Sequence, residues 1–347
     1  MSQPPVRSLP NALEFESGAA QDRLDSFVCA RLQEIDGYRQ ISRSQVKNMI
    51  EAGAVAVNSK PELRAGVRVK AGSLVSVSIE SGLLEQNEIP QPLDFPLEIL
   101  HEDERLLVIN KPPNLTVHPG AGNRSNTLVN ALVHHFAGKQ ASFESLLSLQ
   151  GRRAGVVHRL DKDTSGVLVV AKDVQAHAFL AQQFAARSIG REYIALAYAS
   201  PKAKSPLRLE EHGLIDAPIG RHPLRRKEMA VVTTGKTART RWEVIQRLEY
   251  AILLKLKLET GRTHQIRVHM KHLGAAIIGD KVYGNLDVLP KPLRLVAERF
   301  GRQALHAGML EFEHPDGRSG RLHFEAELPA DFRVLISDFG GDLECLK

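Results

Sequence analysis

The stretch GVVHRLDKDTSGVLVVAKD, residues 155–173, sets a short charged loop between two apolar runs. The runs 155–157 and 167–171 are rich in valine, which is typical of short buried strands. The loop between them carries His158, Arg159 and Asp161 within four residues. Strands on either side would hold an imidazole, a guanidinium and a carboxylate at a fixed geometry. This loop is therefore the first candidate site.

Taken by itself, the loop is compatible with a hydrolase, a metal site or a plain turn. A serine hydrolase would pair Ser165 with His158 and Asp161, but the Gly-x-Ser-x-Gly turn that exposes such a nucleophile is missing. A metal site would add Asp163, and the two adjoining basic residues oppose a cation. In a plain turn, Asp161 and Thr164 would satisfy backbone groups. On the loop alone, the turn remains a full alternative to a catalytic role.

Length and composition limit the class of protein. With 347 residues and 43% hydrophobic residues, the chain is long enough for more than one domain with a buried core. Its two cysteines, Cys29 and Cys345, exclude a disulfide framework and a cysteine-based zinc site. No apolar run approaches the roughly 20 residues that span a bilayer. The first residues lack the basic-then-apolar order of a secretory signal, so we expect a cytoplasmic protein with no membrane partner.

Positive charge is concentrated in one segment. The net charge is +6, and residues 221–241 contain seven lysines and arginines against one acid, Glu228. Residues 81–104 contain seven acids and no lysine or arginine. A basic segment of this density fits either a solvated face or a surface for a polyanion.

Four segments follow from the patterning. Residues 1–18 carry three prolines and no periodicity, which predicts a disordered tail. Residues 19–81 predict a small domain of two helices followed by strands. The proline-rich stretch 82–96 predicts a linker. Residues 97–347 alternate short strands with helices and contain hairpin-like turns, which predicts an α+β fold with a mixed, largely antiparallel sheet.

A second candidate segment is LLKLKLETGRTHQIRVHMKHLG, residues 253–274. Its leucines alternate with lysines as in a strand, and Thr263 is a plausible N-cap for a helix that runs to Gly274. Its histidines lack the spacing of a helical zinc pair with an intervening glutamate. Arg267 lies near the strand–helix junction, where a rigid guanidinium can pair with a buried carboxylate and keep it ionised.

Several long motifs in a fixed order resemble the RluA/RluD family of RNA pseudouridine synthases, of the ribosomal large subunit synthase D type. The resemblance covers nearly the whole chain. Its motifs are HRLDKDTSG (158–166), REYIALAYA (191–199), ETGRTHQIRVHM (259–270), INKPPNLTVHPGAGN (109–123), PIGRHPLRRKEMAV (218–231) and RQALHA (302–307). Residues 19–81, which contain SRSQVKNMIEAGAVAVN (42–58), resemble the S4 RNA-binding domain that many members carry.

The resemblance implies an enzyme that converts a uridine in an RNA chain into its C-glycoside isomer, with no cofactor and no metal. Asp161 matches the family's catalytic aspartate, whereas Asp163 lies two positions too late. Arg267 corresponds to the arginine that pairs with that aspartate, so its removal should damage activity even where RNA still binds. The family pattern does not say whether the aspartate attacks the ribose C1′, attacks the uracil ring or acts through a glycal.

Further roles are carried over from the same motifs. Arg159 resembles the arginine that fills the space of the flipped base, and Tyr193 the aromatic residue that packs against it. We expect Ile266 to line the pocket, Arg262 to contact the substrate and His158 to position the loop.

Two groups of residues are predicted to bind RNA. At the start of the second helix of the S4-like domain, phosphate contacts are expected from Ser42, Arg43, Ser44 and Lys47. In the basic segment, the candidates are Arg221, Arg225, Arg226 and Lys227.

The expected substrate is large-subunit ribosomal RNA, either naked or within assembling 50S particles, and the expected state is a monomer. The sequence does not identify the modified uridines or the orientation of the S4-like domain. An RNA-binding protein without activity is the alternative. The residues Asp161, Tyr193 and Arg267 argue against it, because a protein that only binds needs none of the three. The sequence lacks the nucleophile turn or the set of metal ligands that a small-molecule hydrolase would need.

Overall fold

In a computed structural model, the chain divides into two compact units, Met1–Glu88 and Ile89–Lys347. The structure describes residues 12–18, 22–35, 38, 41, 43–78, 90–120, 123, 125–138, 141–150, 153–199, 205–225, 228–317 and 320–346. Among the helices in those ranges, none is long and apolar enough to cross a bilayer.

The first unit packs two helices on a four-stranded antiparallel sheet of order β1-β4-β2-β3. Its elements are β1 (Ala12–Glu16), α1 (Leu24–Gln33), α2 (Arg43–Glu51), β2 (Val55–Val57), β3 (Lys60–Pro61) and β4 (Leu74–Ser78). The helical periodicity places Leu24, Val28 and Leu32 of α1 in one core with Val46 and Ile50 of α2. This arrangement agrees with the two helices and the small sheet expected from the sequence.

Strand β1 corrects the prediction of a disordered tail over residues 1–18. Leu13 and Phe15 alternate inward and pair with Val77 and Val75 of β4, so the strand covers an edge of the sheet and adds to the core. A single short alternation beside a proline-rich start carries too little signal to be found without its partner strand. Residues 1–11 of the predicted tail lie outside the described part of the chain.

The second unit is built on a nine-stranded sheet of order β5-β6-β7-β14-β8-β13-β12-β9, with β15 paired to β14. The strands are β5 (Glu98–Glu102), β6 (Leu106–Lys111), β7 (Ser165–Ala171), β8 (Gly190–Tyr198), β9 (His212–Asp216), β12 (Arg239–Arg247), β13 (Ala251–Leu258), β14 (Leu305–Glu313) and β15 (Arg321–Glu325). A separate two-stranded hairpin consists of β10 (Ile219–Arg221) and β11 (Met229–Val231).

The helices of the second unit are α3 (Leu128–Phe136), α4 (Ala141–Gln150), α5 (Val174–Ala186), α6 (Pro206–Leu209), α7 (Gln265–His272), α8 (Lys291–Phe300) and α9 (Ala330–Asp338). Strands β7 and β14 run parallel, and the other paired strands described in the sheet are antiparallel. The predicted fold class, α+β with a mixed and largely antiparallel sheet, is confirmed.

Residues 90–96 correct the far end of the predicted linker. The Leu93 amide donates to the Asn130 carbonyl at 3.0 Å, and the Asn130 side chain donates to the Gln91 carbonyl at 2.7 Å. Phe95 packs against the core of the second unit. This stretch therefore belongs to the second unit, because the backbone and the side chain of Asn130 both form hydrogen bonds with it. Residues 82–89 of the predicted linker lie outside the described ranges.

Strand β7 positions the charged loop, because all seven of its residues are buried between β6 and β14. The predicted companion strand at 155–157 is only an isolated bridge between Val156 and Val170. At the start of β7, Gly166 has a φ of +121°, and a Cβ atom there would lie 2.1 Å from the Ala307 carbonyl oxygen. Only glycine allows the two backbones to approach this closely.

We expect Gly166→Ala to destabilise the second unit by about 3 kcal/mol, because the new methyl group must displace the β14 backbone. Gly274→Ala is the matched control, since its φ is +72° but no atom lies within 4 Å of the added Cβ. That control should cost about 1 kcal/mol. Urea unfolding followed by the fluorescence of Trp242, the single tryptophan and part of this unit, measures both. Equal losses in the two variants would contradict the close-approach argument.

Candidate active site

The charged loop and helix α7 meet through an ion pair. The Nη1 atom of Arg267 donates to Oδ2 of Asp161 at 3.0 Å, across 106 positions of sequence. Asp161 precedes β7, and Arg267 lies on the buried face of α7, with 7% of its side chain exposed. Helix α7 begins at Gln265 with His264 as its N-cap, one residue later than the N-cap predicted at Thr263. The sheet therefore brings together the two motifs that the sequence singled out.

Sequence reasoning missed a second carboxylate in this ion pair. Nε and Nη2 of Arg267 donate to the two oxygens of Asp280 at 2.7 and 2.8 Å. Asp280 is fully buried and also accepts the amides of Val282 and Tyr283 at 2.9 and 3.0 Å. A buried guanidinium needs more than one acceptor, which is the only signal that pointed to another acidic partner.

Burial and the neighbouring charges shift the pKa values of Arg267 and Asp280 in opposite directions. Burial by itself lowers the pKa of Arg267, but the hydrogen bonds and charges of Asp280, and then of Asp161, raise that pKa overall. Burial likewise raises the pKa of Asp280, and the bonds and charge of Arg267 outweigh it, so the Asp280 pKa lies below its usual value. Arg267 therefore stays positive beside Asp161.

A cavity of about 460 Å³ lies beside the ion pair. Its lining contains all seven residues predicted for catalysis and base flipping: His158, Arg159, Asp161, Tyr193, Arg262, Ile266 and Arg267. Two further arginines that the sequence analysis did not select, Arg187 and Arg191, also line it. Five arginines around one carboxylate make this cavity suited to a polyanionic ligand.

Two apolar side chains form walls of the cavity. Tyr193 on β8 is 8% exposed, and Ile266 at the start of α7 is 4% exposed. Burial raises the pKa of Tyr193, so the phenol stays neutral near pH 7. A flat neutral ring beside an aliphatic side chain is a suitable surface for a planar base.

His158 fastens the charged loop to β7. Its Nε2 atom accepts the Val169 amide at 3.1 Å, and its ring stacks on Phe184 with centroids 4.7 Å apart. Burial, with a smaller contribution from Arg191, lowers the pKa of His158 to about 3. The imidazole is therefore neutral and available as an acceptor, which supports the loop-positioning role expected for it.

Comparison with known proteins identifies the fold of this site. The sequence pattern of the RNA pseudouridylate synthase family matches residues 105–272. The ribosomal large subunit pseudouridine synthase D of Zymomonas mobilis is 44% identical over 301 residues, covering 86% of this chain and 89% of the relative. That of Yersinia pestis is 38% identical over 339 residues, covering 96% and 97%. The chain belongs to the RNA pseudouridine synthases. The predicted family and enzyme class are confirmed.

Solved structures agree with this assignment. The human RNA pseudouridylate synthase domain containing 4 has a TM-score of 0.52 and 25% identity, covering 70% of this synthase and 93% of the human chain. The human domain containing 1 has a TM-score of 0.53 and 24% identity, covering 70% and 88%. The latter likeness supports the fold alone.

Lys111, at the end of β6 in the synthase, is a fully buried lysine that sequence reasoning missed. Its Nζ atom donates to the carbonyls of Pro112, Leu115 and Lys162 at 2.6, 3.0 and 3.1 Å. Burial lowers its pKa to about 7, while the nearby Asp163 and Asp161 act in the opposite direction. Three acceptors match the three donors of an ammonium group, and one of these acceptors is the carbonyl of Lys162, the residue after Asp161.

The residues predicted to bind RNA lie in both units of the synthase. On α2, Arg43 pairs with Asp25 at 2.9 Å and Lys47 with Glu51 at 3.3 Å, and both basic side chains are about half exposed. Ser42 and the Ser44 side chain are outside the described part of the chain.

In the second unit, Arg221 ends β10 and Arg225 pairs with Glu228 at 3.3 Å. Neither arginine lines the cavity. Arg226 and Lys227 lie between the two described stretches of this hairpin.

We expect Lys111→Met to destabilise the second unit by about 2–3 kcal/mol, because three backbone carbonyls lose the buried ammonium group that donates to them. The loop after Asp161 loses its anchor, so the single-turnover rate of pseudouridine formation should fall about tenfold. Lys162→Met is the matched control, since that side chain is exposed and only its carbonyl meets Lys111. Urea unfolding and single-turnover assays measure the two effects. A wild-type rate in Lys111→Met would exclude this anchoring role.

Proposed function

We propose that this synthase isomerises specific uridines in large-subunit ribosomal RNA, with Asp161 as the nucleophile. The observation that carries the proposal is the Asp161 carboxylate, held by Arg267 at 3.0 Å beside a cavity lined by Tyr193 and Ile266. The relatives named above are ribosomal large subunit synthases, which supports ribosomal RNA as the substrate.

The chemistry requires a group that forms a bond and then leaves. The N1–C1′ bond of uridine breaks, the uracil turns within the site, and a C5–C1′ bond forms. C5 loses its proton and N1 ends with one, so the reaction needs no oxidant or second substrate. A carboxylate suits a covalent intermediate on the ribose or on the ring, and it suits equally a base that opens a glycal route. In each route Asp161 must be ionised, and the Arg267 guanidinium favours that state.

Base flipping supplies the access to Asp161. A stacked uridine must leave the helix at a cost of a few kcal/mol before its C1′ atom can approach a side chain. Arg159 is exposed at the rim of the cavity, where a planar guanidinium can replace the base in the stack. Arg262 donates from Nε to the Thr237 carbonyl at 3.1 Å, which holds its charge beside the entering nucleotide.

RNA is gripped at two surfaces outside the cavity. The S4-like first unit offers Arg43 and Lys47 at α2, and the predicted contacts of Ser42 and Ser44 stay predictions from the sequence. The segment of hairpin β10–β11 offers Arg221 and Arg225, and the predicted contacts of Arg226 and Lys227 lie outside the described residues. The Arg225 side chain is about half exposed although it pairs with Glu228, so it is accessible to a phosphate.

The proposed setting is a monomer that acts in the cytoplasm on ribosomal RNA, without a cofactor. The substrate is the naked RNA or the assembling 50S particle. The naked RNA and the assembling particle contain the same uridines, but different uridines are accessible to the synthase in each.

We expect Asp161→Ala to abolish pseudouridine formation while RNA affinity changes less than about twofold, because the carboxylate reacts but does not grip the RNA. Asp163→Ala is the control and should keep its activity. The measurement is pseudouridine mapping of large-subunit ribosomal RNA after incubation with each protein, repeated on immature 50S particles. New pseudouridines with Asp161→Ala would refute the proposed nucleophile. Binding without modification of either substrate by the wild type would indicate a silent RNA-binding protein.

We expect the double substitution Arg221→Ala with Arg225→Ala to weaken RNA binding and reduce the slope of log K against log salt by about 1–2, one for each lost phosphate contact. The rate at saturating RNA should stay near that of the wild type. Arg294→Ala with Arg333→Ala removes the same charge from paired surface arginines elsewhere in the unit and serves as control. An equal salt slope in both double variants would show that the hairpin makes no specific phosphate contacts.

A further inference from the structure

His264 occupies an unusual place beside Asp161. It is the N-cap of α7 and has left-handed backbone angles, φ 57° and ψ 22°. Its Nε2 atom lies 3.8 Å from Oδ1 of Asp161. Arg267 binds the other oxygen, Oδ2. The two oxygens of Asp161 therefore face different partners, and His264 faces the oxygen that Arg267 does not hold.

Tyr283 contacts Nδ1 of His264, the ring nitrogen that does not face Asp161. The Tyr283 hydroxyl lies 2.8 Å from Nδ1 of His264 and accepts the Met229 amide at 2.9 Å. With the Met229 amide donating to this oxygen, a hydroxyl that donates its proton to Nδ1 uses both its donor and its acceptor capacity, and we assign the hydrogen bond in that direction. His264 then carries its own proton on Nε2, the atom that faces Asp161. Burial lowers the pKa of His264 despite the neighbouring Asp161, which keeps the imidazole neutral.

Tyr283 is itself held by the ion network. Its amide donates to Oδ1 of Asp280 at 3.0 Å, and the guanidinium of Arg267 lies 5.0 Å from the centre of its ring. The residue is 4% exposed. A side chain fixed by backbone, ring and hydroxyl at once is a rigid support for the imidazole that contacts it.

We propose that His264 is a positioning residue for the reaction: its Nε2–H group, oriented by Tyr283, donates to Oδ1 of Asp161 and aims that carboxylate at the nucleotide. The inference rests on the proposed function, in which Asp161 is the reacting group. At 3.8 Å the contact is longer than a hydrogen bond, and such bonds tighten when the substrate closes the site. Arg267 sets the charge of Asp161, and His264 sets its direction.

A purely structural role for His264 makes a different prediction. Left-handed backbone angles at an N-cap favour asparagine over glutamine. Glutamine, in contrast, places an amide nitrogen near the position of Nε2, whereas the asparagine nitrogen corresponds to Nδ1. Stability and activity therefore rank the two substitutions in opposite order if His264 positions Asp161.

The experiment compares kcat and KM on ribosomal RNA for His264→Asn, His264→Gln and Tyr283→Phe. We expect His264→Asn to lower kcat about tenfold with KM within about twofold, and His264→Gln to recover at least about threefold of that loss. Tyr283→Phe keeps the ring against Arg267 and removes the hydroxyl, so kcat should fall about fivefold. Lys271→Met is the control, since this exposed lysine approaches the same ring at 5.7 Å and should leave kcat unchanged.

The inference is overturned if His264→Asn is at least as active as His264→Gln, or if the losses appear in KM alone. Trp242 fluorescence in urea identifies a variant that has lost its fold. If the His264 variants do not fold, the kcat of Tyr283→Phe alone tests the inference. Asp161→Ala, assayed in parallel, distinguishes a failure of the proposed function from a failure of the role of His264 alone. Activity in Asp161→Ala refutes the proposed function, whereas its loss together with wild-type rates in the His264 and Tyr283 variants refutes only the role of His264.

Discussion

One buried guanidinium shared by two carboxylates is the constraint on which the site depends. Burying the charge of Arg267 is costly unless its donors are satisfied. Asp280 accepts two of them, and a third reaches Asp161 at 3.0 Å. Asp161 therefore has a positive neighbour that binds its Oδ2 atom, while its Oδ1 atom faces His264. A neighbouring positive charge favours the ionised form of a carboxylate.

The rest of the second unit holds the two halves of this ion pair in place. On one side, β7 is buried along its whole length, Lys111 binds the carbonyl after Asp161, and His158 accepts a β7 amide. On the other side, β13 leads through a tight turn into α7 and presents Arg267 inward. Because both halves adjoin strands of one sheet, neither can move without disturbing strands in the middle of the core.

Around Asp161, burial favours the neutral forms of three titratable side chains. The pKa of His158 and of His264 is lowered by burial, and that of Tyr193 is raised by burial. Besides these three side chains, the acidic and basic residues that line the cavity are Asp161 and five arginines. This division suits a site that attracts a phosphate backbone and receives an uncharged base.

Local patterns determined much of this protein before any contact was known. The β-branched run of β7, the strand–turn–helix around Arg267 and the long motifs indicated the fold class, the family and seven of the residues that line the cavity. The sequence could not show that Asp280 completes the ion pair, that Lys111 anchors the loop or that residues 12–16 form a strand. A carboxylate, a lysine or a five-residue alternation is common in any chain. Only the tertiary structure decides which of them is buried against a partner, because packing joins residues that are as far apart in sequence as Asp161 and Arg267.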